Sequence, residues 1–304
     1  MDKEFDIYLY GMVLLTTSFL MKDAYPEADS YGEYVRKVQT CGGETGTCAL
    51  ILSNFGSKVI MDGNHLGTGT YGPLDEIFRR GKVDISPMTF DKNYDGLEDY
   101  VITSKESRTC IGRFQAFYSD PDNGRWNQPK KSDIMKAKVV GLDPYFFKET
   151  ELVSEYAAEL EIPYVTIDCK YDSIIHINAE VTIVSHEYLK QTYEGLDFSE
   201  LMANYNEGNH GLTIFTFGPK ELMYGRKGNG LKHFMPYKLN VISTLGAGDS
   251  FKAGAIYALS KSMDDEALVA FASATAGLAL MHYPISEKLP TLEGIYALIN
   301  SRSE

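Results

Sequence analysis

Val241-Ile242-Ser243-Thr244-Leu245-Gly246-Ala247-Gly248-Asp249-Ser250-Phe251-Lys252-Ala253-Gly254 is the most informative stretch of this chain. Residues 237–242 ahead of it read as a strand. From Asp249 to Leu259 the pattern becomes helical, with Phe251, Ala255 and Leu259 on one stripe. Gly246, Ala247 and Gly248 then make a tight turn into a helix N-terminus. Small residues let the backbone come close to a ligand, and the N–H groups of a first helical turn have no acceptor within the helix. The helix dipole adds a potential that favours negative charge there. Such a turn can hold the phosphate charge that builds up during group transfer, and a carboxylate beside it can take a proton from an attacking hydroxyl. Asp249 is placed to be that base. The same string also describes a plain helix cap after a glycine turn, and alone it does not separate the two. GxGxxG is absent and the turn lies late in the chain, which disfavours a dinucleotide site.

Outward from this turn, strands alternate with amphipathic helices. Strands are expected at residues 5–10, 58–61, 139–142, 164–167, 181–184 and 212–217. Helices are expected at 46–55, where Cys48, Ile51, Leu52 and Phe55 share a face before Gly56, and at 71–80, on Leu74, Ile77 and Phe78. A further helix at 149–160 stacks Leu152, Tyr156 and Leu160. Alternation of this kind means βαβ units and a mostly parallel sheet covered on both faces. Two segments break the rhythm, about 16–40 and 88–118, with strands expected at 99–103 and 109–118 and a loop at 119–131. They predict a small β element projecting from one main α/β domain over residues 1–304.

Composition narrows the function. The 304 residues carry 42 Asp and Glu against 29 Lys and Arg, a formal net charge of −13. That balance argues against a nucleic-acid or anionic-membrane surface, though not against ATP, whose phosphates are held by local donors and helix ends. The opening residues are acidic, no apolar run reaches the ~20 residues of a membrane span, and a cytoplasmic protein is expected. The four cysteines (Cys41, Cys48, Cys110, Cys169) show neither CxxC pairs nor a disulfide framework, and the six histidines have no ligand spacing. Trp126 and the tyrosines read as packing residues.

The pattern Thr244-x-Gly246-Ala247-Gly248-Asp249-x-Phe251-x-x-Gly254 resembles the C-terminal signature of the PfkB/ribokinase family of carbohydrate kinases. Gly42-Gly43-x-x-Gly46-x-x-Ala49 is similar to the family's N-terminal glycine motif, the loop Leu66-Gly67-Thr68-Gly69-Thr70-Tyr71-Gly72 to its next one, and Thr216-Phe217-Gly218 to the turn before its ATP site. The matches fall in the family's order and span nearly the whole chain. The resemblance implies a ribokinase-like three-layer α/β/α fold with a β lid formed by the two irregular segments. It implies ATP and magnesium, Asp249 as base, and an anion hole at Gly246, Ala247 and Gly248. Thr216, Gly218 and Thr244 would line the nucleotide site, with Ser273, Ala274 and Gly277 near adenine, although close helix packing accounts for those small residues equally well. Thr16, Gly42, Gly43, Thr47 and Arg108 would face the substrate, and two copies would pair through the lid.

Departures from the family pattern bear on the substrate. Ser243 stands where the family usually has the Asp of a monovalent-cation loop, so no potassium requirement carries over. Thr16, Thr47 and Gly69 stand in place of an Asp, an Asn and an Asp, and Ser185-His186-Glu187-Tyr188 replaces Asn-x-x-Glu. Glu187 would then reach magnesium through water. Asp168, at a strand end, and Arg113, on the expected lid strand, are further candidates. The expected function is phosphorylation of a hydroxyl on a sugar-like molecule. A nucleoside kinase of the same fold and a non-catalytic sugar-binding relative are the alternatives.

Overall fold

Ile7, Tyr8, Leu9 and Tyr10 of β1 (Phe5–Gly11) are all fully buried in the computed structural model. It describes residues 3–104, 108–120 and 122–302, so 105–107, part of the second irregular segment, lie outside the described residues. A strand with no polar face must be covered on both sides. Ile7 and Leu9 enter one core with Ile51, Leu52, Ile256 and Phe271, whereas Tyr8 and Tyr10 enter another with Val153 and Ala157. The sheet is therefore the middle of three layers.

The chain continues through β2 (Leu14–Met21), β3 (Tyr34–Gly42), α1 (Glu44–Asn54), β4 (Val59–Gly63), β5 (Leu66–Gly67), α2 (Tyr71–Arg80), β6 (Val83–Asp84), β7 (Phe90–Asp91), β8 (Glu98–Thr103) and β9 (Arg108–Gly112). Then come α3 (Phe114–Ser119), α4 (Lys131–Ile134), β10 (Ala137–Leu142), α5 (Phe147–Glu159), β11 (Tyr164–Ile167), α6 (Ile174–Ile177), β12 (Val181–Ser185), α7 (His186–Thr192) and α8 (Phe198–Gly208). The last third holds β13 (Leu212–Thr216), β14 (Leu222–Gly225), β15 (Leu231–Phe234), α9 (Ala247–Ser260), α10 (Asp265–Ala279), a 3-10 turn at Ile285–Glu287 and α11 (Leu292–Asn300).

Among the described residues the main sheet has the order β15-β14-β13-β12-β11-β10-β1-β4-β6. It is parallel from β6 across to β13, and the β13-β14-β15 end is antiparallel. This is the expected α/β class with a mostly parallel centre. A separate four-stranded sheet, β3-β2-β8-β9, comes from the two irregular segments. Behind the main sheet, α9 lies against α10 so closely that a Cβ at Gly254 would sit 2.7 Å from Ala272 Cα.

The structure corrects three local expectations. Residues 237–242 form no strand: Ile242 N donates to Leu280 O instead, and Val241 and Ile242 are exposed, because no sheet edge runs beside them. The strand expected over 109–118 stops at Gly112. Arg113 then caps α3, whose Phe114, Phe117 and Tyr118 pack on Tyr145, Trp126 and Tyr94. Their i, i+3, i+4 spacing is helical, and it overrides the β propensity of the aromatics. In α5 the buried stripe is Thr150, Val153, Ser154 and Ala157, while Leu152, Tyr156 and Leu160 are half-buried at its margin. Small side chains let the helix approach the sheet and large ones seal its flank.

Candidate active site

The parallel strands present their carboxyl ends on one edge, where ligands of open α/β sheets bind. Gly11 ends β1 and Met12 follows it, Asp143 follows β10, Asp168 follows β11, and β12 and β13 end in the paired residues Ser185 and Thr216. The N-terminus of α9 and the inner face of the second sheet meet there.

Gly246 adopts φ 76°, ψ 15°, a left-handed conformation that favours glycine, and a Cβ on it would lie 2.6 Å from Ile285 Cδ1. Ser250 donates to Gly246 O from both its N and its Oγ, pinning the start of α9. Ala247 N reaches Thr244 O at a long 3.4 Å. A Cβ at Gly248 would meet nothing within 4 Å, so packing does not demand glycine there. The bare backbone leaves space in front of the helix end, which fits a phosphate group.

Asp249 is half-buried at the head of α9. Burial, and then the Asp143 carboxylate, raise its pKa, while the Thr47 hydroxyl and the charges of Lys252 and Arg108 oppose the rise. A carboxylate moved upward in this way is a better proton acceptor than a solvated one. One helical turn on, Lys252 forms an ion pair with Asp143 in which both side chains are fully buried. The other Asp143 oxygen accepts from Met12 N at 2.9 Å and Thr45 Oγ1 at 2.6 Å. Desolvation works against the Lys252 ammonium, but Asp143 holds it protonated. The pair thus ties α9 to β10, β1 and α1 behind the Gly246–Gly248 turn. Beside it, burial and the Asp143 and Asp249 carboxylates push Glu44 up to about 8, and Tyr145 OH donates to it at 2.9 Å.

In front of the turn is a cavity with about 660 Å³ of free space, including the part open to solvent. Thr16, Gly42, Gly43, Thr47, Gly246 and Asp249 line it together. The glycines shape it: a Cβ at Gly42 would sit 2.0 Å from Thr16 Oγ1, and Gly43, at φ 78°, lies against Met12 O. Ser243 is also on the wall, where its Oγ accepts from Leu245 N. Arg108 is exposed on β9, and its charge still bears on Asp249. Arg36 of β3 ion-pairs with Glu287 and donates to Tyr283 O at 3.1 Å, so the second sheet is fastened to the main body across the cavity.

The remaining candidates lie outside this lining. Ser185 pairs in register with Thr216, which puts the N-terminus of α7 beside the Thr216-Phe217-Gly218 turn. Both Asp168 oxygens accept from Ser185, whose Oγ caps α7, so Asp168 orients the turn that carries exposed Glu187. Burial raises the Asp168 pKa against the two hydrogen bonds from Ser185, and the nearby Glu187 charge adds to the rise. Ser273 and Ala274 are buried on α10, and Gly277 is half-buried against Leu239. Thr244 is exposed. Among the described residues no three His, Cys, Asp or Glu side chains gather into a metal cage. Trp126 is a packing residue, stacked on Phe146 with its Nε1 donating to Glu149.

Sequence reasoning missed Asp143, Lys252, Glu44 and Asp99. Lys252 was visible three residues after Asp249, a long cation inside an otherwise apolar helix face. Asp143 ends a strand in the same way as Asp168. Asp99 shares alternation parity with the cavity-lining Val101.

Residues 194–292 match the pfkB family of carbohydrate kinases. A 5-dehydro-2-deoxygluconokinase of Shouchella clausii is 23% identical, with 99% of this chain and 97% of that protein covered. The protein of the same name from Lacticaseibacillus casei is 25% identical over 58% of this chain and 54% of its own length. Among solved structures, a putative ribokinase from Agrobacterium tumefaciens superposes with a TM-score of 0.85 at 18% identity, covering 100% of this chain and 99% of that one. A putative ribokinase II from E. coli, in complex with ATP and magnesium, gives 0.79 at 12% identity, covering 97% and 99%. The pfkB match falls on the part of the chain that holds the Gly246–Asp249 turn, and the sheet order and structural likenesses show a ribokinase-like fold.

Proposed function

We propose that this protein is an ATP-dependent kinase that phosphorylates a hydroxyl group of a sugar or sugar-like molecule. The observation that carries the reading is the placement of Asp249: its carboxylate lines the cavity beside Thr16, Thr47 and Gly246 and stands at the mouth of a bare helix N-terminus. The acceptor lies in the cavity between Thr16, Gly42, Gly43 and Thr47, with Arg108 at its rim. Its hydroxyl oxygen forms the new bond to the γ-phosphorus, the bond to the ADP oxygen breaks, and the hydroxyl proton passes to Asp249. The amides of Gly246, Ala247 and Gly248 receive the charge that develops on the phosphoryl oxygens. Thr216, Gly218 and Thr244 hold the nucleotide, with Gly277 and the α10 residues Ser273 and Ala274 on the adenine side. Glu187, set by Asp168, would hold magnesium through water, and the ion would neutralise phosphate charge there. The β3-β2-β8-β9 sheet acts as the lid that keeps water from the phosphoryl group. Its outer strands β3 and β9 are the surface through which two copies pair. Among the described residues no helix is long and apolar enough to cross a membrane, and we place the protein in the cytoplasm.

The test is ATP consumption by purified protein against sugars, sugar acids, polyols and nucleosides, with Asp249→Asn in parallel. Turnover with a hydroxylated acceptor that the variant abolishes is the expected result. Nucleotide binding without turnover on any acceptor would overturn the kinase reading in favour of a binding protein.

A further inference from the structure

The lid sheet carries one polar row that packing does not explain. Gly112 on β9, Asp99 on β8, Thr16 on β2 and Thr40 on β3 pair in register, one beside the next across all four strands. Asp99, Thr16 and Thr40 all line the cavity that contains Asp249. Gly112 makes room for the acid: a Cβ there would lie 2.8 Å from Asp99 Cβ. Thr16 stands close enough to hydrogen-bond the Asp99 carboxyl, lowering a pKa that burial raises. Asp99 Oδ1 and Thr40 Oγ1, however, are buried and have no partner. A buried acceptor left unpaired costs on the order of 1–3 kcal/mol, more when it is charged, and an ionised carboxylate can only accept. The missing partner must therefore donate. Thr16 occupies the position where the family pattern has an aspartate, and Asp99 is its direct cross-strand neighbour, so the carboxylate has reappeared one strand away.

We infer that Asp99 is a specificity-determining residue that, with Thr16 and Thr40, grips neighbouring hydroxyl groups of a polyhydroxylated acceptor while Asp249 faces the hydroxyl to be phosphorylated. This rests on the acceptor reading of the cavity. It commits the substrate to a compound with hydroxyls on at least two carbons besides the reacting one. A site built to accept from a hydroxyl rejects the analogue that lacks it, because its own polar groups stay unpaired.

The experiment pairs acceptors with their deoxy analogues, starting with D-ribose, D-fructose and D-gluconate, on wild type, Asp99→Asn and Asp99→Ala. KM is measured by ATP consumption, and Kd by calorimetry on Asp249→Asn backgrounds. The expected result is a KM or Kd at least tenfold weaker for one deoxy analogue in the wild type. In Asp99→Ala the full acceptor binds about as weakly as its deoxy analogue, so that penalty shrinks to under threefold. A merely structural Asp99 would weaken parent and deoxy compound alike. An unchanged deoxy penalty in Asp99→Ala, or no binding of any polyol, overturns the inference. If the compounds bind with the expected penalties but ATP is never consumed, the Asp99 assignment stands and the kinase reading falls.

Discussion

The two walls of the cavity follow different rules. On the α9 wall the glycine turn runs into a helix as its sequence reads: Gly246 is left-handed, Gly248 is bare and Asp249 heads the helix, which Lys252 anchors to Asp143. On the opposite wall the polar side chains are spread over several elements, with Asp99, Thr16 and Thr40 on three strands of the second sheet and Thr47 on α1. Transfer of a phosphoryl group needs the same charge stabilisation whatever the acceptor, so that wall has little freedom. Recognition depends on where hydroxyls fall, so the other wall can be redrawn without touching the chemistry.

The contrast can be broken most directly at Asp249. Asp249→Asn should lower kcat on the order of a thousandfold in steady-state assays, because proton acceptance contributes about that much. Nucleotide affinity, read by calorimetry, should hold. A loss of tenfold or less would put the chemistry elsewhere. Lys252→Met probes the scaffold of the same wall. It leaves Asp143 buried without its cation, a loss of about 3–5 kcal/mol in urea unfolding. A loss below 1 kcal/mol would mean that water or a neighbour replaces the ammonium.

Glu44 sharpens the comparison through pH. Its pKa rises from the ordinary 4.5 to about 8, so between those values the folded state keeps a proton that the unfolded chain has released. Its contribution to stability therefore falls as pH climbs through that window. Glu44→Gln should remove this slope, so its melting temperature gains on the wild type from pH 5 to pH 8. A constant difference across that range would show that Glu44 titrates normally. The smallest effect is expected on the lid side. The Arg36–Glu287 pair is 42% and 39% exposed, and Arg36→Ala should cost less than about 1 kcal/mol. If it instead costs several, the lid is held shut by this contact.

Legibility followed the same division. The alternating strands and helices and the glycine turns could be read from the chain because each is a local pattern. Burial on both faces forces continuous apolar strands such as Ile7–Tyr10, and a left-handed turn asks for glycine at Gly246. The lid strands were harder: residues 114–118 are aromatic enough for a strand, and only their contacts with Tyr145, Trp126 and Tyr94 make them a helix. Asp143 and Lys252 are 109 residues apart, and no local pattern links them. Asp99 is likewise silent until β8 is laid beside β2. Cross-strand register is a property of the fold, and it decides which polar groups share a wall.

The central claim is that Asp249 is the proton acceptor and that its environment sets its readiness. It is tested most directly by kcat/KM against pH for the wild type and Thr47→Ala. The Thr47 hydroxyl holds the Asp249 pKa down against burial and Asp143, so removing it should raise that pKa. The account predicts an acidic limb of unit slope in the wild type that moves to higher pH in Thr47→Ala, whatever the height of the alkaline plateau. A limb that stays in place, or a profile without one, would contradict it.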